Sequence, residues 1–304
     1  MVIVTRRQLQ IVLALLWGVD GLLQLQPHMF TRSFATEVIA PTAQGQPALI
    51  AGLIHLTVRI ILLQPAAFNA VFGGVQLALA AGLIYRKTTR WALAGSIVWG
   101  LSVWATGEGF GGLLAGGANL ITGEPGAALL YAVLALAAWP GLASTDANPD
   151  APARWSRWAW AALWLSGAVF QLLPGHNSSD DVYNLVMNNA MDAPHWLAAV
   201  DSWLANPIPV DNVSFPVHLI TIEVVIGLGV LSRSRRLACW AVGLGTVVSA
   251  LFWVVGQGFG QPWTGLATDP STAPLVVVLG LAALGSMRPV PKVVITEEIT
   301  PVPV

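Results

Sequence analysis

The sequence states one pattern twice. Trp17-x6-Gln24-x2-Pro27 returns as Trp164-x6-Gln171-x2-Pro174. Trp104-Ala-Thr-Gly-Glu-Gly-Phe-Gly111 returns as Trp253-Val-Val-Gly-Gln-Gly-Phe-Gly260, and Thr122-Gly-Glu-Pro125 returns as Ala267-Thr-Asp-Pro270. The offsets are 147, 149 and 145 residues. Two tandem copies of one helical unit are the simplest explanation, so whatever fold the first 145 residues adopt should recur.

The unit reads as a membrane bundle. Of 304 residues, 55% are hydrophobic and 10% charged, against about 25% charged in an average soluble domain. Apolar runs occur at 9–25, 68–85, 91–105 and 126–139, then at 158–173, 215–231, 237–255 and 273–286. Several approach the roughly 17–25 residues that a spanning helix needs. None alternates in polarity as a barrel strand would. The expected fold is therefore an all-α polytopic membrane protein, with eight transmembrane helices arranged as two parallel four-helix repeats. Residues 1–145 form the first repeat, 146–287 the second, and 288–304 a disordered cytoplasmic tail.

Lys and Arg orient it. Arg6, Arg7, Arg86, Lys87, Arg90, Arg154, Arg157, Arg233, Arg235, Arg236, Arg288 and Lys292 share one side of an eight-span chain, twelve of 14 basic residues. That side is cytoplasmic by the positive-inside rule, with both termini inside the cell membrane. Residues 48–63 and 193–206 then read as outer-face helices lying in the interface, although counting 48–63 as a further crossing stays open. The Arg6-Arg7 start resembles a signal peptide, but no small-residue cleavage site follows, and the segment is expected to be retained as the first span. The single Cys239 excludes an intramolecular disulfide, and a net charge of −1 gives no footprint for nucleic acid.

The polar residues carry the functional reading. All five histidines, His28, His55, His176, His195 and His218, fall at the outer side. They either converge on a metal, haem or quinone or stand hydrated one by one at the interface. Asp20 and Glu223 lie inside apolar runs, where an ionised acid needs a partner, a wet cavity or a proton. Each occurs in one copy only: Asp20 aligns with Gly167 and Glu223 with Gly74. Asp20, Gln24 and His28, spaced by four, form one stripe. Glu108 faces Gln257 as a further broken symmetry. Asp20, Gln24, Glu223 and Glu108 are thus candidates for proton handling or ligand anchoring.

Two motifs are read as structural. Gly107-Glu-Gly-Phe-Gly-Gly112 matches G-x-G-x-x-G, but it follows an apolar run rather than a strand, so it predicts a tight turn and not a nucleotide site. Glu124-Pro125 and Asp269-Pro270 are expected to start the last helix of each copy, with no chemical role. The repeated Trp17, Trp164, Trp104 and Trp253 mark packing or line a quinone cleft.

Arg7 before an apolar helix, Gly18 and Gly21 within it, Leu25-Gln-Pro27 and Phe30 at its exit, and the basic turn Arg86–Arg90 together resemble the DoxX-like superfamily, including its DoxD and MauE relatives. The resemblance covers mainly the first span and the four-span layout. It implies a four-helix bundle per copy and an association with redox biology, including thiosulfate:quinone oxidoreductase subunits and assembly factors for periplasmic redox enzymes. The duplication departs from that family, and no residue role carries over. Three readings follow: a redox-associated or cofactor-binding subunit, a proton- or cation-coupled transporter, and a non-catalytic anchor for an extracytoplasmic partner docking on 27–47 and 175–214.

Overall fold

A computed structural model of the chain describes residues 4–141, 150–173, 177–191, 193–209 and 214–287. His176, Asp192 and the tail 288–304 lie outside the described residues. Helices make up the described fold, and no strand occurs among these residues. The first half holds α1 (Arg6–Leu23), α2 (Ala48–Leu63), α3 (Pro65–Ile84), α4 (Thr89–Thr106) and α5 (Ala127–Ala137). The second holds α6 (Ser156–Phe170), α7 (Ser179–Met191), α8 (His195–Ala205), α9 (Ser214–Gly229), α10 (Arg235–Val255) and α11 (Thr272–Gly285). Each of the eight apolar runs lies on a helix.

Local chemistry sets the ends. The Thr5 hydroxyl accepts the Gln8 N–H at 3.0 Å while the Gln8 side chain accepts the Thr5 N–H at 2.8 Å, a reciprocal cap for α1. Arg7 donates to the Leu83 carbonyl at 2.9 Å and to that of Ile84. It thereby fills acceptors that the end of α3 leaves open. Arg157 does the same past α9, at the carbonyls of Val230 (2.7 Å) and Ser232 (2.8 Å).

The halves pack alike. α1 lies on α3 as α6 lies on α9, and α4 lies on α5 as α10 lies on α11. The last helices form the centre, where α11 touches α5, α6 and α1. Eight of eleven residues of α5 and eleven of 14 in α11 are buried, so protein surrounds these two helices on most sides. By length and composition two helices, α3 and α10, are long and apolar enough to cross a membrane; α2, α5, α9 and α11 are apolar but shorter.

The glycine-rich turns take the conformation that their composition predicts. Gly109, Phe110 and Gly111 have φ of 55°, 57° and 60°, and Gly258, Phe259 and Gly260 have 48°, 57° and 77°. A Cβ on Gly111 would sit 1.8 Å from the Pro125 carbonyl oxygen, so only glycine fits. Trp104 Nε1 donates to that carbonyl at 2.8 Å and Trp253 Nε1 to the Pro270 carbonyl at 2.7 Å. The phenylalanine rings rest edge-on against the same tryptophans, at 5.0 Å and 4.9 Å between centroids.

The acid–proline pairs do not start the last helices. α5 is preceded by Gly126 and α11 by Ser271. Their first-turn amides are served from a distance: Glu108 Oε1 accepts the Ala128 N–H at 3.0 Å, and Gln257 Oε1 accepts the Ala273 N–H at 3.1 Å. A turn too tight to supply its own cap borrows one from the end of the preceding helix.

The segments before α5 and α11 are exchanged between halves. Asn119 and Leu120 lie in the second half, where Asn119 Oδ1 accepts Gln171 Nε2–H and the Leu120 carbonyl accepts Gln257 Nε2–H, both at 3.3 Å. In return, Thr268 and Asp269 reach into the first half, and Gln26 Nε2 donates to the Ala267 carbonyl at 3.4 Å.

Candidate functional site

The first half encloses a cavity of about 350 Å³ between α1, α2, α3, α4 and α5. Its walls are aromatic. Trp17 stacks on Tyr131 with centroids 4.1 Å apart, and Phe72 lies between Phe34 (6.0 Å) and Trp99 (5.4 Å). Trp17 is fixed by the 2.9 Å bond from its Nε1 to the Ser96 hydroxyl. Thr57 on α2 and Ser102 and Thr106 on α4 form the margin, where Ser102 is exposed.

Three carboxyls line this cavity: Asp20 from α1, Glu108 from just beyond α4, and Asp269 from the other half. No Lys, Arg or His is among the described lining residues. Asp20 is 1% exposed, and the Tyr131 hydroxyl beside it donates to its carboxyl. Gln24 Oε1, Gln76 Oε1 and Glu108 Oε2 have no hydrogen-bond partner among the described residues. Three buried acceptor atoms without partners on one cavity are an unmet demand, since each such atom costs about 1–3 kcal/mol when left dry and unpaired. Burial and the neighbouring Asp269 carboxyl push Glu108 up to about 8, against the pull of the Ala128 and Ala127 amides. Burial raises Asp269 as well, opposed by bonds from Thr268 (2.7 Å) and the Ser271 N–H (2.7 Å).

The second half has the same place and almost no space. About 10 Å³ remains between Leu120, Trp164, Phe252, Gln257, Ala273 and Val276. Leu120 is the filling. A Cβ on Gly167, the counterpart of Asp20, would stand 2.3 Å from Leu120 Cδ1 and 3.0 Å from Glu223 Oε1. Asn119 and Leu120 also accept the Nε2–H groups of Gln171 and Gln257, the counterparts of Gln24 and Glu108, although Gln171 Oε1 has no partner among the described residues. Glu124, the counterpart of Asp269, lines the residual space.

Of the sequence candidates, the structure brings Asp20, Gln24 and Glu108 together. Glu223 is apart from them, fully buried in the second half beside Gln171. The histidines are scattered. His28, His55, His195 and His218 occupy exposed positions on different elements, and His218 Nδ1 bonds the Ser214 carbonyl of its own helix at 2.6 Å. No group of three or more His, Cys, Asp or Glu among the described residues is placed to hold a metal ion.

Three lining residues escape the sequence reading. Tyr131 and Gln76 carry the same signal as Asp20, for their counterparts in the second copy are the apolar Val276 and Val225. Asp269 carries no such signal, because it arrives from the opposite half. The sequence matches no protein-family model, and neither a curated protein nor a solved structure matches it.

Proposed function

We propose that the chain is an integral membrane protein of the cell membrane that binds one small organic molecule in its first half, the second half being a structural copy whose equivalent space is filled. The observation that carries this reading is the cavity of about 350 Å³, with aromatic walls and three unpartnered acceptor atoms, set against about 10 Å³ at the matching place. Its size falls at the lower end of ordinary small-molecule pockets, roughly 300–1,000 Å³. Of the cofactors that the sequence raises, haem or a metal would call on the histidines, and the four described ones stand apart. A quinone or another compact organic molecule needs only apolar walls and a few polar atoms.

The bilayer setting rests on the outside of the molecule. Leu15, Leu22, Val71, Val98, Val247 and Leu251 are exposed on the helices. The most apolar stretches of α3 and α10 are only 33% and 39% buried, so their apolar surface faces outward rather than into a core. Trp91, Trp158 and Trp240 are exposed beside the basic residues Arg90, Arg157 and Arg236, as in an interfacial belt on the cytoplasmic face. Eight crossings are compatible with the short α5 and α11, because backbone outside helices is tolerated at membrane depth where protein buries it. The packing of α1, α3, α4 and α5 also accords with the four-helix layout implied by the DoxX-like resemblance.

The test uses the whole chain in lipid nanodiscs. A panel of cationic, neutral, anionic and quinone compounds is screened by thermal shift, and Tyr131→Phe and Gln76→Leu are screened beside the wild type. At least one compound should raise the melting temperature of the wild type and lose that effect in a lining variant. A panel without any binder, or binding indifferent to both variants, refutes the reading.

A further inference from the structure

We infer that the ligand of the first-half cavity is a compact organic cation, an amine or guanidine with an apolar body, held by Asp20, Glu108 and Asp269 and taken up in exchange for a proton. The inference rests on the proposed binding function and specifies the chemistry of its ligand.

The plug of the second half shows what an occupant has to supply. There the counterparts of Gln24 and Glu108 are both amides, Gln171 and Gln257, and the plug meets their N–H groups with two acceptors, Asn119 Oδ1 and the Leu120 carbonyl. In the first half one of those amides is replaced by a carboxyl, and two more carboxyls join it. Glu108 already spends Oε1 on the Ala128 N–H; its Oε2 remains. Gln24 Oε1 and Gln76 Oε1 also remain. The unmet atoms are mainly acceptors, so the occupant is a donor.

Charge points the same way. Three acids and no base line the space among the described residues. The groups facing Glu108 are Asp20 on α1, Tyr131 on α5 and Asp269 on the exchanged segment. On α2, His55 and Arg59 are exposed and do not line it, nor does Glu37 in the 34–39 segment. The balancing charge is therefore either protons or a bound cation. A monatomic metal ion has no cage here, because the described residues offer no group of three metal-binding side chains. Stacked aromatic faces suit an organic cation well. With Glu108 protonated up to about pH 8, an arriving cation ionises it and one proton leaves for the solvent. The charge of the site then stays constant.

Benzylguanidinium is the probe, because it stays charged from pH 6 to pH 9. Its isostere benzylurea is the neutral control, phenylacetate the anion, and a short-chain benzoquinone the redox alternative. Binding is measured by calorimetry on the full chain in nanodiscs, in two buffers of different ionisation enthalpy. Benzylguanidinium should bind about tenfold or more tightly than benzylurea, the worth of one charged hydrogen bond. Its affinity should rise with pH and release close to one proton. Glu108→Gln, which keeps the amide bond to Ala128 and hence the fold, should abolish proton release and weaken the cation. Asp20→Asn should weaken it independently. Equal or tighter binding of benzylurea, or affinity that falls as pH rises, overturns the inference. Quinone binding without cation binding overturns it while leaving the small-molecule reading intact. Silence of all four probes overturns both.

Discussion

Glu108 and Gln257 make the same hydrogen bond in the two halves and differ in what they leave over. Each accepts the N–H of the second residue of the last helix, at 3.0 and 3.1 Å. Gln257 then donates its Nε2–H to the Leu120 carbonyl, whereas Glu108 Oε2 has no donor among the described residues. One position thus combines a structural duty, shared by both halves, with a chemical one present only in the first. Substitution should separate them. Glu108→Gln keeps the bond to Ala128 and should melt close to the wild type. Glu108→Ala loses it and should cost about 0.5–2 kcal/mol, as for other lost helix caps. Thermal denaturation of both variants in the same detergent checks this, and equal losses would show that the carboxyl has no separable structural role.

The same carboxyl makes stability depend on pH with a definite sign. Folding raises Glu108 from 4.5 to about 8 by burial and by the nearby Asp269 carboxyl. Between those values the folded chain holds a proton that the unfolded chain has released. Stability therefore falls as pH rises through that window. Asp269 is raised too, and adds in the same direction. The melting temperature of the wild type, relative to Glu108→Gln, should decline from pH 5 to pH 8. A relative increase over that range would mean that Glu108 ionises readily where it stands.

The plug of the second half makes a packing prediction. Leu120 is 6% exposed and meets Gly167 where any Cβ would stand 2.3 Å from its Cδ1. Gly167→Ala should therefore cost about 1–3 kcal/mol by overpacking. Leu120→Ala should cost about 2–5 kcal/mol by opening a void. The double variant should be less destabilised than the sum, since the added methyl occupies space the leucine vacated. Additive losses in chemical denaturation would place the strain of Gly167→Ala elsewhere, with Glu223 Oε1 at 3.0 Å the nearest alternative.

How far the sequence reveals this site follows from which residues cross between halves. The duplication is legible in the Trp, Gln and Gly-Phe-Gly positions, and the helices lie on the apolar runs. Departures from the duplication point at the cavity: Asp20 against Gly167 and Glu108 against Gln257 both border it. The drop in offset from 149 to 145 marks four extra residues in the first half, in the loop that contains the plug. Yet nothing in a linear comparison says that a loop enters the opposite half, so Asp269 reads as a helix cap. The one-sided histidines mislead for a related reason: sharing a face of the chain does not bring side chains into contact, and the described four stay on separate exposed surfaces.

The exchange of segments predicts that the second half controls binding in the first. Gly260 has φ of 77°, and a Cβ there would lie 2.3 Å from the Asp269 carbonyl oxygen. Gly260→Ala must push away the segment that delivers Asp269 to the cavity, although Gly260 itself is in the other half. Trp253→Phe is the milder variant. It keeps the ring against Phe259 and removes only the 2.7 Å bond to Pro270, the residue after Asp269, at a cost of about 1 kcal/mol. Both should weaken a ligand of the first-half cavity. Trp164→Phe is the control, since it alters the second half beside Leu120 without touching the segment that carries Asp269, and its Nε1 has no partner among the described residues to lose. Calorimetry of the three variants with whichever compound binds the wild type decides the matter. Equal affinity in wild type and Trp253→Phe, with Gly260→Ala still folded and binding normally, would mean that Asp269 takes no part in the site.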